Sequence, residues 1–245
     1  MDPADIRYVL ERAVYTALHD RPGTVWVDIP LDVQAAEIDP SSMRGYKPEE
    51  KAAAVNAEDL KEIAAMLAAA KRPVILAGTG VMLAGAREAF VQMVNELQIP
   101  TVTSRRARRL FHRGGDRYFY GSTGMVAPRY ANYVLQNADF LLVIGSGLRY
   151  YLTAYNDENF APHARKVMVN IHAPEVEKLR MTVEKTIIMD AGAFIAAFSD
   201  LCRTCKMPDW QGWISYADEM REKYPALSEV IPHADGLTDG YMVTK

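Results

Sequence analysis

Arg72-Pro-Val-Ile-Leu-Ala-Gly-Thr-Gly80 decides the fold of this chain. Pro73 to Ala77 is an uninterrupted apolar run, the composition of a strand buried on both faces rather than one that alternates toward water. Gly78-Thr-Gly80 reads as a tight loop, and Ala84 to Leu97 returns to helical periodicity. A buried strand that passes through a glycine turn into an amphipathic helix opens a parallel crossover unit.

The same alternation continues in both directions. Upstream, Asn56 caps a helix with Glu58 and Asp59 in its first turn and Leu60, Ile63, Ala64, Leu67 and Ala68 on one face. Downstream, strands are expected at Pro100–Thr103, Asp139–Ile144, Lys166–Ile171 and Thr186–Met189, with helices at Pro128–Gln136, Pro174–Leu179, Ala191–Cys205 and Trp210–Tyr224. An arginine-heavy polar stretch and a Gly/Ser loop fill the span from Ser104 to Met125. Five short strands alternating with helices predict an α/β fold, a doubly wound, mostly parallel, Rossmann-like sheet. Ligands of such sheets sit beyond the carboxyl ends of the strands, which selects the loops at 78–80, 103–105, 145–149, 170–172 and 190.

The first fifty residues have a different texture. A helix is expected over Ala4–Leu18, with Asp2 as N-cap and Pro3 at the first helical position. After the turn Arg21-Pro-Gly23, the run Thr24 to Ile29 reads as a strand stopped by Pro30, which has no N–H to donate. Such a strand needs a sheet, and the helix alone precedes it, so residues 1–34 read as the end of a domain. Val9, Val14 and Leu18 would then form an exposed apolar face, which favours a homo-oligomer. Residues 35–54, with Pro40, Ser41, Ser42, Gly45 and Pro48, read as a linker.

Composition excludes several function classes. The 245 residues are 49% hydrophobic and 24% charged with a formal net charge of −3, which gives no global attraction to nucleic acid or an anionic membrane. No apolar stretch approaches a membrane span and no signal-peptide pattern opens the chain, so a cytoplasmic location is expected. Cys202 and Cys205 form a lone C-x-x-C within a helical pattern, read as structural or incidental thiols, and no metal site is expected. Gly145-Ser-Gly147 lacks the spacing of a nucleophile elbow, and no catalytic residue is assigned. Arg105-Arg-Ala-Arg-Arg-Leu-Phe-His-Arg113 carries five arginines. It reads as a solvated face or subunit contact, or as a local anion site for a pyrophosphate or a CoA-like group, with nucleic acid a third reading that the net charge disfavours.

Taken together, Arg21–Gln34, Arg72–Gly80, Ile99-Pro-Thr-Val-Thr-Ser104, Ala131-Asn132, Gln136–Gly145 and Asn170-Ile-His-Ala-Pro-Glu175 resemble thiamine-diphosphate-dependent enzymes of the acetolactate synthase large-subunit type, over about residues 4–224. The resemblance implies that 1–34 is the tail of a pyrimidine-binding domain, 35–54 a linker, 55–205 the central Rossmann-like domain, and 206–245 a helix and approach to a diphosphate-binding domain. It implies thiamine diphosphate and Mg²⁺ as cofactors of the intact parent, a 2-keto acid as its substrate, and active sites built between subunits. The family's activating glutamate and its Gly-Asp-Gly…Asn motif have no counterpart here, since Asp235-Gly-Leu-Thr-Asp-Gly240 lacks the following Asn; the chain alone is expected to be inactive.

In flavin-containing relatives the strand-end loops hold FAD. The matching positions are Gly78, Thr79, Gly80, Thr103, Ser104, Arg105, Gly145, Ser146, Gly147, Arg149, Asn170, Ile171, His172 and Asp190. Asn170-Ile-His172 stands where the family has two aspartates, and Leu83 where a dinucleotide fingerprint has its third glycine. FAD, an ADP-like nucleotide, and no ligand at all remain the three readings of this domain.

Overall fold

The computed structural model describes residues 2–49, 56–111 and 116–226, which fall into two compact units, Met1–Ala54 and Val55–Lys245. The end of the expected linker, His112, Arg113 and the Asp235–Gly240 stretch lie outside the described residues.

In the first unit Asp2 accepts a hydrogen bond from the Ala4 amide (2.9 Å) and opens a 3-10 turn at Pro3–Asp5, which continues into α1 (Ile6–Leu18). Pro30 caps the short helix α2 (Leu31–Gln34). The strand expected at Thr24–Ile29 is not formed. No described residue offers its run the ladder that would make it a strand, and Trp26 is 90% exposed. Val14 and Leu18 are exposed as anticipated, whereas Val9 is half-buried and lines a shallow groove with Val25 and Trp26. Part of the segment read as linker turns back onto α1. The Tyr46 amide donates to Glu11 (2.7 Å), Arg44 pairs with Asp5 and lies over the Tyr8 ring, and the Tyr46 ring meets those of Tyr8 and Tyr15.

The second unit is a six-stranded, fully parallel sheet. Its elements are α3 (Ala57–Ala69), β1 (Pro73–Ala77), α4 (Gly80–Leu83), α5 (Arg87–Leu97), β2 (Thr101–Thr103), a 3-10 turn (Arg105–Leu110), β3 (Phe119–Ser122), α6 (Arg129–Gln136), β4 (Phe140–Ile144), α7 (Tyr150–Thr153), β5 (Arg165–Asn170), α8 (Ala173–Glu177), β6 (Lys185–Ile188), α9 (Ala191–Thr204) and α10 (Gln211–Lys223). The strand order is β3-β2-β1-β4-β5-β6, so the direction of winding reverses between β1 and β4. Ala77 is in register with both Thr103 and Ile144, and Ile144 with Val169, which brings the carboxyl ends of four strands level.

Every residue of β1 and β4 is buried, as their uninterrupted apolar runs require for central strands covered by helices on both faces. The edge strand β6 alternates half-buried and exposed positions, and Lys185 on it pairs with Asp59 (2.7 Å) and Glu62 (2.5 Å) of α3. Two expectations need correction. A sixth strand, β3, occupies part of the span read as a Gly/Ser loop, its short pattern interrupted by Gly121. The helix read as Ala84–Leu97 starts only at Arg87, and a separate short helix, α4, occupies Gly80–Leu83 before it, with Gly85 at a left-handed φ of 64° between the two.

Helix α10 packs on the same core. Trp210 and Trp213 are buried and donate to the carbonyls of Ala70 (2.9 Å) and Pro73 (3.0 Å). Among the described residues no helix is long and apolar enough to cross a membrane. On the opposite edge, the fully buried Tyr120 of β3 donates its hydroxyl to Asp218 (2.8 Å), which also pairs with Arg117 (2.7 Å). Burial first, and the bond to Asp218 second, push the Tyr120 phenol up to about 12. The unfolded chain releases that proton near pH 10 while the folded chain retains it, so stability present below pH 10 should fall as pH rises from about 10 toward 12. Urea denaturation across that range should show a steeper loss for the native chain than for Tyr120→Phe; parallel curves would place the ionisation elsewhere.

Candidate functional site

The reversal point between β1 and β4 is where an open α/β sheet offers its ligand crevice. Here the two loops that flank it are bound to each other. The Gly78 amide donates to the Ile144 carbonyl (2.8 Å) and the Gly80 amide to the Gly145 carbonyl (2.9 Å). Gly145, at φ 63°, donates its own amide to Val169 (2.9 Å), and Ser104 donates to Ala77 (2.9 Å). The approach is too close for side chains. A Cβ on Gly80 would stand 2.7 Å from the Gly145 Cα, and one on Gly78 would overlap the Gly145 carbonyl oxygen. Thr79 contributes its carbonyl to the amides of Met82 and Leu83 (both 3.0 Å), closing the first turn of α4.

Other expected site residues gather around a carboxylate that the sequence reading passed over. Glu175, on α8, is buried with its carboxylate against Gly147. It accepts from Asn170 Nδ2 (3.4 Å) and from the Arg149 guanidinium (3.5 Å), and Lys178 stands at 4.0 Å. Asn170 also donates to the Ser146 carbonyl (3.4 Å) and accepts from the His172 amide (2.9 Å). A buried carboxylate needs such partners, and the Ser146–Gly147, Arg149 and Asn170 loops supply them. Glu175 could have been suspected from sequence as an acid placed five residues after a strand-end Asn.

The remaining positions do not join this cluster. Thr103 is buried and faces Ser122 of β3 through its hydroxyl (3.3 Å). Asp190 caps α9, accepting from the amides of Gly192 (2.8 Å) and Ala193 (3.1 Å). Ile171 and His172 are exposed, and Arg105 projects from the 3-10 turn after β2. Cys202 lies in the buried face of α9, where burial pushes its thiol up to about 12 and removes it as a nucleophile, while Cys205 is exposed. Asn132 explains its own place in the motif series. Its amide group forms two 3.0 Å bonds with the backbone of Gly124 and so fixes the loop before α6. Beside that loop the Met125 amide donates to Tyr151 (3.1 Å), and Tyr150, Tyr151 and Tyr155 form an exposed ring cluster with no forecast from sequence.

The arrangement holds loops in place, and among the described residues no three metal-ligating side chains are brought together. If the glycines serve contact between loops, adding a methyl group should cost stability directly. Gly78→Ala should lose about 3 kcal/mol in equilibrium denaturation, since the methyl meets fixed backbone. Gly85→Ala, which has open space and only an unfavourable φ, should lose about 1 kcal/mol. Equal small losses at the two sites would mean that the loops separate freely.

Comparison with known proteins agrees with this geometry. Residues 60–198 match the family described as thiamine pyrophosphate enzyme, central domain. The acetolactate synthase large subunit of Corynebacterium glutamicum is 31% identical over 231 residues, covering 91% of this chain and 36% of that protein. The acetolactate synthase of Mycobacterium bovis is 32% identical over 253 aligned positions (98% and 39%), and the isozyme 1 large subunit of Escherichia coli 32% over 219 (89% and 38%). The chain therefore spans less than two fifths to about two fifths of the curated relatives it matches. With a parallel sheet in the 3-2-1-4-5-6 order and the match centred on it, this chain belongs to the thiamine pyrophosphate enzyme family, through its central domain.

Proposed function

We propose that the chain is the central segment of a thiamine-diphosphate-dependent, acetolactate synthase-like enzyme that acts on a 2-keto acid. The observation that carries this reading is the family match over 60–198, reinforced by relatives whose identity extends through the first unit. In this reading residues 1–34 are the tail of the pyrimidine-binding domain, 35–54 the linker, 55–205 the central domain, and 206–245 the path toward the diphosphate-binding domain. Thiamine diphosphate and Mg²⁺ supply the carbanion chemistry of the whole enzyme when bound. The chain's own contribution is to fix the separation of the flanking parts and to take part in assembly of a homo-oligomer.

The strand-end crevice is then a packing surface and not a flavin site. A phosphate or ribityl group at a glycine loop relies on free backbone amides, and those of Gly78, Gly80 and Gly145 are engaged within the protein. Glu175 adds a buried carboxylate at the ends of β4 and β5 that already takes up Asn170 Nδ2 and the Arg149 guanidinium, donors a bound phosphate would otherwise use. Asn170 and His172 replace the paired acids that would accept from a ribose, and the Asn170 side chain is already bonded on both of its polar atoms.

Two measurements on the 245-residue chain check this function. Calorimetric titration with thiamine diphosphate and Mg²⁺ should give no stoichiometric binding, and pyruvate should not be consumed; either event would overturn the reading. Excess FAD should separate from the protein on gel filtration and leave it colourless, whereas a retained visible spectrum would restore the flavin-binding alternative.

A further inference from the structure

The arginine turn after β2 has no role in the reading above. Within the 3-10 turn Arg105–Leu110, Ala107 and Leu110 are fully buried. Residues three apart eclipse each other in such a turn, so Arg105 lies above Arg108 on one exposed face and Arg106 above Arg109 on the other, each pair about 6 Å apart along the axis. None of these four guanidinium groups has a hydrogen-bond or carboxylate partner among the described residues.

Four such guanidinium groups on five consecutive residues recur nowhere else among the described residues. Many of the cations elsewhere are paired: Arg7 with Glu11, Arg44 with Asp5, Arg117 with Asp218, Arg165 with Glu184, Arg203 with Glu96 and Asp200, and Lys185 with Asp59 and Glu62. The chain has more acids than bases, 31 against 28, yet among the described residues none is paired with these four arginines. Four like charges on five residues repel one another, a cost that a bound anion removes. The field is also felt nearby. Burial pushes the Tyr130 phenol up, and Arg221 and Arg108 oppose that rise.

The turn is fixed at both ends. Ser104 donates its amide to Ala77, Arg87 donates to the Leu110 carbonyl (3.0 Å), and the buried Phe111 ring stacks on Phe119 at 4.5 Å. It lies at the carboxyl end of β2, on the edge of the sheet where such folds take ligands, but outside the closed glycine loops. We propose that Arg105, Arg106, Arg108 and Arg109 form a binding site for a diphosphate group. Each eclipsed pair can direct two planar donor forks at one phosphate, so two pairs suit two linked phosphates better than a single one. Inorganic pyrophosphate and the diphosphate of a nucleotide share this chemistry.

Isothermal titration of the full 245-residue chain with inorganic pyrophosphate, ADP and orthophosphate tests the site. Pyrophosphate and ADP should bind saturably at one site per chain, orthophosphate at least about tenfold more weakly, and affinity should fall as salt rises from about 50 to about 200 mM. ADP binding more tightly than pyrophosphate identifies a nucleotide as the source, and equal affinity identifies the diphosphate alone. R105Q/R108Q and R106Q/R109Q should each weaken pyrophosphate by about tenfold or more, while K71Q/K206Q, which removes the same charge elsewhere, should change it by less than about twofold. The four exposed side chains support no core, so the variants should keep the native circular dichroism spectrum. Absence of saturable pyrophosphate binding, ADP binding without it, or an equal loss in K71Q/K206Q would overturn the proposal. The family assignment is untouched by any of these outcomes.

Discussion

The contact between the Gly80 amide and the Gly145 carbonyl is the constraint on which the larger unit depends. The sheet is two three-stranded halves that meet only along β1 and β4, and at the end of that seam the chain leaves in two directions. Without a tie, two loops emerging side by side would splay and admit water between buried strands. Bare backbone at positions 78, 80 and 145 lets the loops close to hydrogen-bonding distance instead. The level strand ends, the start of α4 and the positions of Ser146 and Gly147 all follow from that closure. The same glycine-rich composition that permits phosphate binding in related folds here lets one stretch of backbone approach another to hydrogen-bonding distance.

Much of this was legible in the sequence because of how its strands are buried. β1 occupies the residues expected for it, and β4 differs by one, since strands covered on both faces must be apolar throughout and cannot be confused with loops. The strand β3 was hidden for the opposite reason. Phe119-Tyr-Gly-Ser122 is a short edge strand with a shifted register and a glycine at φ 85°, so its local composition is that of a turn. Thr24 to Ile29 shows the reverse error: β-branched composition states what a segment could pair with, and pairing still requires a neighbour. At the site, the loops were visible as strand ends, while their internal partners were not. Asp190 was found by position and proved to be a helix cap, and Glu175 depends on contacts brought together only by the fold.

Charge in this chain is arranged by local balance more than by total. The strand-end region joins a buried carboxylate, satisfied by Asn170 and Arg149, to an exposed row of arginines only one sheet half away. These groups lie on the same edge of one sheet and have opposite sign. An anion approaching that edge therefore meets uncompensated positive charge over β2 and a carboxylate already paired with Arg149 between β4 and β5, so the two positions differ electrostatically before any specific contact forms.

The distribution of indole groups separates the two units optically. Trp26 stands almost fully in water in the first unit, whereas Trp210 and Trp213 are enclosed in the second, each with its N–H bonded to a carbonyl. Iodide reaches only the former, so collisional quenching reports on the first unit while the unquenched, shorter-wavelength emission reports on the sheet and α10. The loss of order in either unit can be followed in the intact chain with no added label.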